Sequence, residues 1–270
     1  MTLIQERGLR WESPEGLKVS VHLGLGLDST AILCAMHQLG VRPDYIIFSD
    51  TGSEWPETYK HRDEVMVPWL RSIGFPELVV TRRMESIKVK REETLLDEIQ
   101  RTRTLPSVAY GWHKCSLKFK AEAINGHMKK LPWVRAEWAM GRRIVKVIGY
   151  NAKEPRRAKP TFPGREGEQY VPYYPLFQWG LDRDDEAQIV RDSGLPVPKK
   201  SACWFCPHNT DEEWLRLRRE HPELWEKCLD MERESLAEDN PNRIEKPDVV
   251  GLRRRGRKGE RQLKDWIETL

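Results

Sequence analysis

A glycine-interrupted turn near the N-terminus carries residue types that bind phosphate. Residues 19–30 read VSVHLGLGLDST: an apolar strand pattern enters the turn, and an apolar helix pattern leaves it at Asp28. Backbone N–H groups exposed at such a turn, and at the helix N-terminus that follows it, bind anions. The pattern therefore predicts a nucleotide site whose turn residues are Gly24, Gly26, Ser29 and Thr30.

Three glycine-rich motifs can be compared with this turn. A Walker A loop ends in Gly-Lys-Ser/Thr, but this turn has Asp28 where the lysine would reach the outer phosphates, which excludes that motif. A dinucleotide-binding fingerprint needs a third small residue and an acid about 20 residues further on, which Ser29 and Asp50 supply only approximately. The pyrophosphate loop, Ser-Gly-Gly-x-Asp-Ser, agrees best, although Gly24 and Leu25 replace its usual serine and glycine.

Four further segments extend this agreement. They are YIIFSDTG at residues 45–52, KCSLKFK at 114–120, VIGYN at 147–151 and SACWFCPH at 201–208. With the turn, and in this order, they resemble the phosphoadenosine phosphosulfate reductase-like branch of the adenine nucleotide α-hydrolase superfamily over residues 17 to 220. The resemblance implies that ATP and Mg²⁺ bind, that Asp28 helps to organise the metal-bound phosphates, and that Ser29 binds pyrophosphate. It implies that the nucleotide site also includes Ser49, Asp50, Thr51, Gly149 and Tyr150.

Two groups of cations are candidates for contact with phosphate or transition-state charge. Lys118 and Lys120 follow Cys115 closely, and they either act on the substrate or form a solvated helix face. Residues 151–169 are rich in Lys, Arg, Pro and Gly, which predicts a mobile loop. In that loop Arg156 and its basic neighbours either clamp phosphate when the loop closes or stay solvated. The catalytic candidates are therefore Asp28, Lys118 and Arg156.

Three cysteines have the arrangement of a metal site. Cys203 and Cys206 have the two-residue spacing that lets both sulfurs reach one metal, and Cys115 belongs to the same set of family motifs. With His208 or His113, the three thiolates would complete a tetrahedral zinc site. Without a fourth protein ligand they would hold a [4Fe-4S] cluster by three of its irons. A disulfide-exchanging pair is a third alternative, but such a pair normally opens a helix after a strand, whereas this one follows a proline-containing loop.

Strand and helix patterns alternate along the first 200 residues. The apolar strand patterns cover residues 19–25, 45–48, 78–81 and 144–148. The alternation predicts an α/β fold with a doubly wound, mostly parallel sheet of the adenine nucleotide α-hydrolase kind. Ligands of such sheets bind at the carboxyl ends of the strands, where Asp28, Asp50 and Tyr150 fall. We expect a nucleotide-binding domain at residues 1–200, and a small helical metal-binding appendage with a basic tail at 201–270.

Composition limits the location and the partners of the chain. It has no run of about 18 apolar residues and no apolar signal core, so we expect a cytoplasmic protein without a membrane partner. Five cysteines, an odd number, fit a reducing compartment. The net charge of +4 is concentrated after Arg243, where residues 253–258 read RRRGRK. This run, with Trp266 nearby, either binds the phosphates of tRNA or DNA or is a solubilising tail.

Two functions stay open at the level of sequence. The first is an ATP-dependent adenylating enzyme that releases pyrophosphate and then inserts sulfur, from a sulfur donor protein, into a nucleobase or another small acceptor. Sulfonucleotide reduction is not expected, because no cysteine follows Cys228 and that residue lacks the Glu-Cys-Gly-x-His context. The second function is that of a non-catalytic nucleotide- or nucleic-acid-binding accessory protein with a structural metal.

Overall fold

In the computed structural model of the protein, the described residues are 1–84, 91–244, 251–253 and 261–269. The strands are β1 (Val19–His22), β2 (Tyr45–Ser49), β3 (Leu78–Thr81), β4 (Arg83–Met84), β5 (Glu92–Glu93), β6 (Ile144–Val147) and β7 (Tyr170–Tyr173). The α-helices are α1 (Leu3–Glu6), α2 (Leu27–Gln38), α3 (Pro56–His61), α4 (Val67–Ser72), α5 (Leu95–Thr102), α6 (Lys114–Ser116), α7 (Glu122–Met128), α8 (Pro132–Ala139), α9 (Gly164–Gln169), α10 (Pro175–Gln178), α11 (Arg183–Asp192), α12 (Asp211–Glu220), α13 (Pro222–Leu236) and α14 (Leu263–Ile267). Two π-helical turns cover Arg62–Met66 and Leu117–Ala121, and a 3₁₀ turn covers Ser107–Tyr110.

Five strands form one parallel sheet in the order β3-β2-β1-β6-β7. In its centre, Val21 of β1 pairs with Ile46 of β2 on one side and with Val147 of β6 on the other. Among the described residues, β4 and β5 form a separate antiparallel pair. The predicted α/β fold with a parallel sheet is therefore confirmed.

Both faces of this sheet are buried by apolar side chains. Val21 and Val147 belong to a buried cluster with residues of α2 and α11, and Ile47 and Ile144 belong to a second cluster with residues of α7 and α8. Strands that are buried on both faces have continuous apolar runs, which is the pattern that predicted them. In α2 the residues from Ser29 to Met36 are all buried, so this helix is covered on every side.

The chain forms two compact units, and each is built from three separate segments. The first unit contains the parallel sheet and consists of Met1–Ser49, Pro56–Thr81 and Ile124–Ser201. The second unit consists of Asp50–Trp55, Arg82–Ala123 and Ala202–Leu270. Within the described ranges, none of the helices combines the length and the apolar character that crossing a bilayer requires.

The helices that follow the cysteine pair begin at residues that favour helix N-termini. Thr210 and Glu213 form a capping box at α12: Thr210 Oγ1 accepts the Glu213 N–H at 3.1 Å, and Glu213 Oε2 accepts the Thr210 N–H at 2.7 Å. The next helix, α13, starts with Pro222 in its first turn. Both helices contribute tryptophans, Trp214 and Trp225, to the apolar core of the second unit.

Candidate functional site

The predicted phosphate turn is closed by its own hydrogen bonds. Ser29 Oγ accepts the Gly24 N–H at 3.0 Å and donates to the Gly26 carbonyl oxygen at 3.3 Å. Ser201 Oγ donates to the Gly24 carbonyl oxygen. Gly26 is the N-cap of α2 and supplies no side-chain cap. The first N–H groups of this twelve-residue helix are therefore left to bind an anion.

Leu25 stands where the pyrophosphate-loop motif has glycine, and it adopts a backbone conformation that favours glycine. Its φ is 59°, in the left-handed region, which costs an L-residue about 1–2 kcal/mol. Its side chain is 1% exposed, and full burial of a leucine contributes about 1.5–3 kcal/mol. The buried side chain offsets the backbone strain, so the turn keeps its conformation without the glycine.

The carboxyl end of β6 lies directly against the start of α2. A Cβ atom on Gly149 would lie 2.9 Å from Asp28 Cβ and 3.1 Å from Ser29 N. Only glycine allows this approach. The next residue, Tyr150, stacks on Tyr174 with 5.4 Å between the ring centroids. The first unit thus brings together the predicted residues of the turn and those that follow β6.

Asp28 is accompanied by a second carboxyl group, that of Glu186 on α11. Glu186 is fully buried, and no other described residue donates a hydrogen bond to its carboxyl oxygens or to Asp28 Oδ1. Burial, together with the hydrogen bond and the charge of Asp28, raises the pKa of Glu186 to about 9. Glu186 is therefore protonated at pH 7, which avoids two negative charges side by side in the interior.

Thr30 and Arg156 differ in how accessible they are to a ligand. Thr30 is fully buried in α2, and its Oγ1 has no hydrogen-bond partner in the described chain. Arg156 is exposed in a turn and forms no side-chain hydrogen bond or ion pair within the described ranges. Its neighbour Arg157 pairs with Glu154 and lies over the Tyr150 ring, with 4.2 Å from the guanidinium carbon to the ring centroid. Arg156 is thus a cation of the 151–169 segment that is accessible to a ligand.

Asp50, which follows β2 in the chain, is held by partners within the second unit. It is 1% exposed; its Oδ2 accepts a hydrogen bond from Arg82 at 2.7 Å, and its Oδ1 accepts the Gly52 N–H at 2.8 Å. Ser49, the last residue of β2 and part of the first unit, is 4% exposed. The role of Ser49 and Asp50 in nucleotide binding stays a prediction, and the contacts of Asp50 fix the conformation of its own segment.

A thiol, a hydroxyl and an ion pair meet at the same segment. Thr51 Oγ1 lies 3.3 Å from Glu54 Oε1 and 3.4 Å from Cys203 Sγ. Lys120 Nζ lies 3.2 Å from Glu54 Oε1, and the charge of Glu54, with smaller contributions from Cys203 and Cys206, raises the pKa of Lys120. Burial, and then Glu54, raises the pKa of Cys203, while Lys120 lowers it. Lys120 is therefore a cation held beside the cysteine pair.

The predicted metal ligands are not gathered as a single ion requires. Cys115 Sγ lies 3.0 Å from Ser107 Oγ, which also accepts the Cys115 N–H. In the described chain, no three donor atoms lie within 4.8 Å of one another among Cys115, Cys203, Cys206 and His208. Zinc holds its donors about 2.0–2.3 Å from the metal, so these side chains, as they are placed, do not form a closed tetrahedral zinc site. The thiolates of a [4Fe-4S] cluster bind different irons and are not required to lie so close together.

Lys118, the remaining catalytic candidate, also lies in the second unit. Its Nζ forms an ion pair with Glu98 on α5. Together with Cys115 it lines a cavity. Its predicted catalytic role remains a prediction.

Two residues of the predicted nucleic-acid site are buried. Arg253 is 2% exposed; its guanidinium carbon lies 4.4 Å from the Trp266 ring centroid, and its Nη2 lies 3.1 Å from both carboxylate oxygens of Asp211. Trp266 is 4% exposed, and this burial does not support stacking on a base. The other basic residues of the run lie outside the described residues: Arg254, Arg255, Arg257 and Lys258.

Comparison with solved structures finds many similar chains, two of which illustrate the likeness. No protein-family model and no curated protein matches the sequence. The structure is similar to phosphoadenylyl-sulfate (PAPS) reductase from Candida auris in its phosphate complex, with 17% sequence identity, a TM-score of 0.45, and coverage of 73% of this chain and 84% of that chain. It is also similar to U34-tRNA thiolase NcsA from Methanococcus maripaludis with its [4Fe-4S] cluster. The sequence identity is 14%, the TM-score is 0.39, and the match covers 80% of this chain and 72% of that chain. At these identities the similarity concerns the fold alone.

Proposed function

We propose that the chain is an ATP-dependent adenylating enzyme of the pyrophosphate-loop type. The observation that carries this proposal is the uncapped N-terminus of α2 at Gly26, with Gly149 packed against Asp28 and Ser29. This arrangement offers backbone N–H groups and the positive end of a helix dipole to the phosphates of a nucleotide. The glycine at position 149 keeps side-chain atoms away from the place where Asp28 and these N–H groups meet.

The residues of the turn also suit the magnesium ion that accompanies ATP. Asp28 Oδ1 is a buried oxygen that has no hydrogen-bond donor among the described residues apart from the neighbouring Glu186 carboxyl group, and oxygen ligands are those that Mg²⁺ prefers. When bound with ATP, this ion neutralises charge on the departing pyrophosphate. Asp28 would hold it, the N–H groups at the start of α2 would bind the phosphates, and Arg156 would add positive charge to them.

The reaction that we assign is attack of an acceptor oxygen on the α-phosphate of ATP. The new bond joins that oxygen to phosphorus, the bond to the β-phosphate breaks, and pyrophosphate leaves. The adenylated acceptor is a nucleobase or another small molecule. Sulfide-level sulfur from a donor protein then forms a bond to the acceptor carbon, the bond from that carbon to the adenylate oxygen breaks, and AMP leaves.

The three cysteines complete the proposal. Cys115, Cys203 and Cys206 are the donors that we assign to a [4Fe-4S] cluster, because three thiolates can hold such a cluster by three of its irons. Lys120, held beside Cys203 by Glu54, adds a positive charge that favours thiolates. Such a cluster supplies one iron that no protein residue holds.

The activity is tested with Mg²⁺-ATP by calorimetry and by pyrophosphate release in the presence of candidate acceptors. We expect Asp28→Asn to lower the rate of pyrophosphate release by about 10²–10³-fold, which is the usual cost of removing one preorganised electrostatic group. Asp184→Asn, which changes an exposed aspartate at the start of α11, is the matched control and should not alter the rate.

Two other results of this experiment would be informative. Binding of ATP without pyrophosphate release from any acceptor would favour the accessory-protein alternative. If no adenine nucleotide binds in the presence of Mg²⁺, the pyrophosphate-loop interpretation is wrong.

The metal is tested by analysis of anaerobically purified protein for iron, sulfide and zinc, together with its visible spectrum. We expect iron and sulfide in the wild type and loss of most of the iron in Cys203→Ser, because the three thiolates act as one ligand set. Cys34→Ser is the control, since Cys34 is a fully buried thiol inside α2. One equivalent of zinc without iron, or full iron in Cys203→Ser, would contradict the cluster.

A further inference from the structure

The second unit contains a cavity of about 170 Å³ between α5 and the segment of residues 104–119. Aliphatic side chains of Leu95, Ile99 and Leu105 line it, and so do the aromatic rings of Tyr110, Trp112 and Phe119. Most of these side chains belong to the apolar core of the unit, whereas Trp112 is 39% exposed. The cavity is therefore apolar inside and has an aromatic ring at its accessible side.

The volume limits the size of what fits. An apolar cavity of about 150 Å³ is large enough to bind benzene. A cavity of about 170 Å³ therefore accommodates one six-membered aromatic ring. Aromatic walls favour an aromatic ring over a saturated one, because ring pairs contribute about 0.5–1.5 kcal/mol beyond the burial of area.

The charges at the cavity favour an anionic substituent. Glu98 is shared by Lys118, with which it forms an ion pair, and by Arg83, whose Nη1 lies 3.3 Å away. Lys114 also lines the cavity, and its Nζ lies 4.9 Å from the centroid of the Trp112 ring. Within the described ranges Lys114 has no carboxylate partner. Among the residues that the structure describes, this ammonium group therefore lies beside an aromatic ring without a counter-ion.

We propose that this cavity binds a ligand with a single six-membered aromatic ring and one anionic substituent, with the ring between the aromatic walls and the anion at Lys114. Cys115, one of the proposed cluster donors, also lines the cavity. The identification of this ligand as the acceptor of the adenylation rests on the proposed function. The binding itself depends only on the cavity and on Lys114.

The probe for this site is 4-fluorobenzoate, whose binding to the whole protein is followed by ¹⁹F NMR without ATP. We expect saturable binding with a Kd of about 1 mM or tighter. Lys114→Gln should weaken it about fivefold, the upper range for one exposed ion pair. Lys227→Gln is the matched control, because Lys227 lines a different cavity of the same unit, and it should leave the Kd unchanged.

Two further probes test the ring and the charge of the ligand. The saturated analogue 4-fluorocyclohexanecarboxylate should bind several-fold more weakly because it lacks the aromatic ring, and the uncharged analogue 4-fluorobenzamide should bind several-fold more weakly because it lacks the anion. The proposal is overturned by absence of saturable 4-fluorobenzoate binding, by equal Kd values in wild type and Lys114→Gln, or by equal Kd values for 4-fluorobenzoate and 4-fluorobenzamide. Because ATP is absent, these results are independent of those that test the nucleotide turn.

Discussion

Nucleotide binding is expected to weaken when Gly149 is replaced by alanine. The new Cβ atom would lie 2.9 Å from Asp28 Cβ and 3.1 Å from both the Asp28 carbonyl carbon and Ser29 N. Two of these three atoms are backbone, so no side-chain rotation relieves the contact, and the end of β6 or the start of α2 must move. A misplacement of reacting groups by about 1 Å lowers a catalysed rate by about 10²-fold. We therefore expect the rate of pyrophosphate release to fall by about that factor, and calorimetry to show weaker binding of Mg²⁺-ATP.

Gly126→Ala provides the control for this substitution. Gly126 lies inside α7, and a Cβ atom there would meet nothing within 4 Å. Alanine in a helix interior is more favourable than glycine by about 0.5–1 kcal/mol, so this variant should be slightly more stable and should bind ATP as the wild type does. Unchanged ATP affinity in Gly149→Ala would show that the turn before α2 is not the nucleotide site.

The protein is expected to lose stability as the pH rises from 6 to 9, and Glu186→Gln is expected to remove most of that loss. The pKa of Glu186 is about 9 in the folded protein and about 4.3 in an unfolded chain. The folded state therefore keeps a proton that the unfolded state has released, and the resulting stabilisation disappears as the pH passes through the folded pKa. At about 1.36 kcal/mol per pH unit, the loss between pH 6 and pH 9 is about 4 kcal/mol.

Urea unfolding at pH 6, 7, 8 and 9 measures this effect. Glu168→Gln, which changes an exposed glutamate on α9, should retain the slope of the wild type. Glu232, whose pKa is raised to about 7 by burial, contributes in the same direction and equally in all three proteins. A Glu186→Gln variant with the pH slope of the wild type would mean that Glu186 is already ionised in the folded state.

The strands of the sheet are predictable because their buried runs are strongly apolar. The pattern at residues 78–81 has the same bounds as β3. The pattern at 19–25 is longer than β1, which ends at His22. Leu23 and Leu25 are as buried as the strand residues, at 2% and 1% exposed, although Leu25 belongs to the turn. A buried leucine in a turn and a buried leucine in a strand give the same apolar pattern in the sequence, so the pattern does not show where the strand ends.

The edge strand β7 and helix α9 were not predicted. β7 contains Pro172, which cannot donate to a ladder and is tolerated because β7 lies at the edge of the sheet. Residues 151–169 were expected to form a loop, and α9 begins within them, after Pro163. Two glycines make its sequence a poor helix former, and its Glu166 is held by the buried Lys146, which also donates to Asn125 at 3.0 Å. A tertiary contact therefore outweighs local propensity in this helix.

The candidate site is predictable only where it is local in sequence. Gly26, Asp28 and Ser29 stand within one turn and can be recognised from their spacing. Glu186 is different, because it follows Asp184 and Asp185 in a run that indicates the solvated first turn of a helix. Which of these acids is buried beside Asp28 is decided by the packing of α11 on α2. No local sequence pattern indicates that packing.

The interleaving of the two units sets the order in which their cores can be completed during synthesis. Leu95, Ile99 and Phe119 share their core with Trp214 and Trp225, but residues 124–201, which separate these groups in the chain, belong to the first unit. At usual rates of translation, roughly ten seconds pass before the ribosome has added those residues. During that time the apolar side chains of Leu95, Ile99 and Phe119 lack Trp214 and Trp225, with which they share the core of the folded unit. The emerging chain is therefore expected to need a chaperone during this interval, and no single cut in the gene would release either unit as an independently folding fragment.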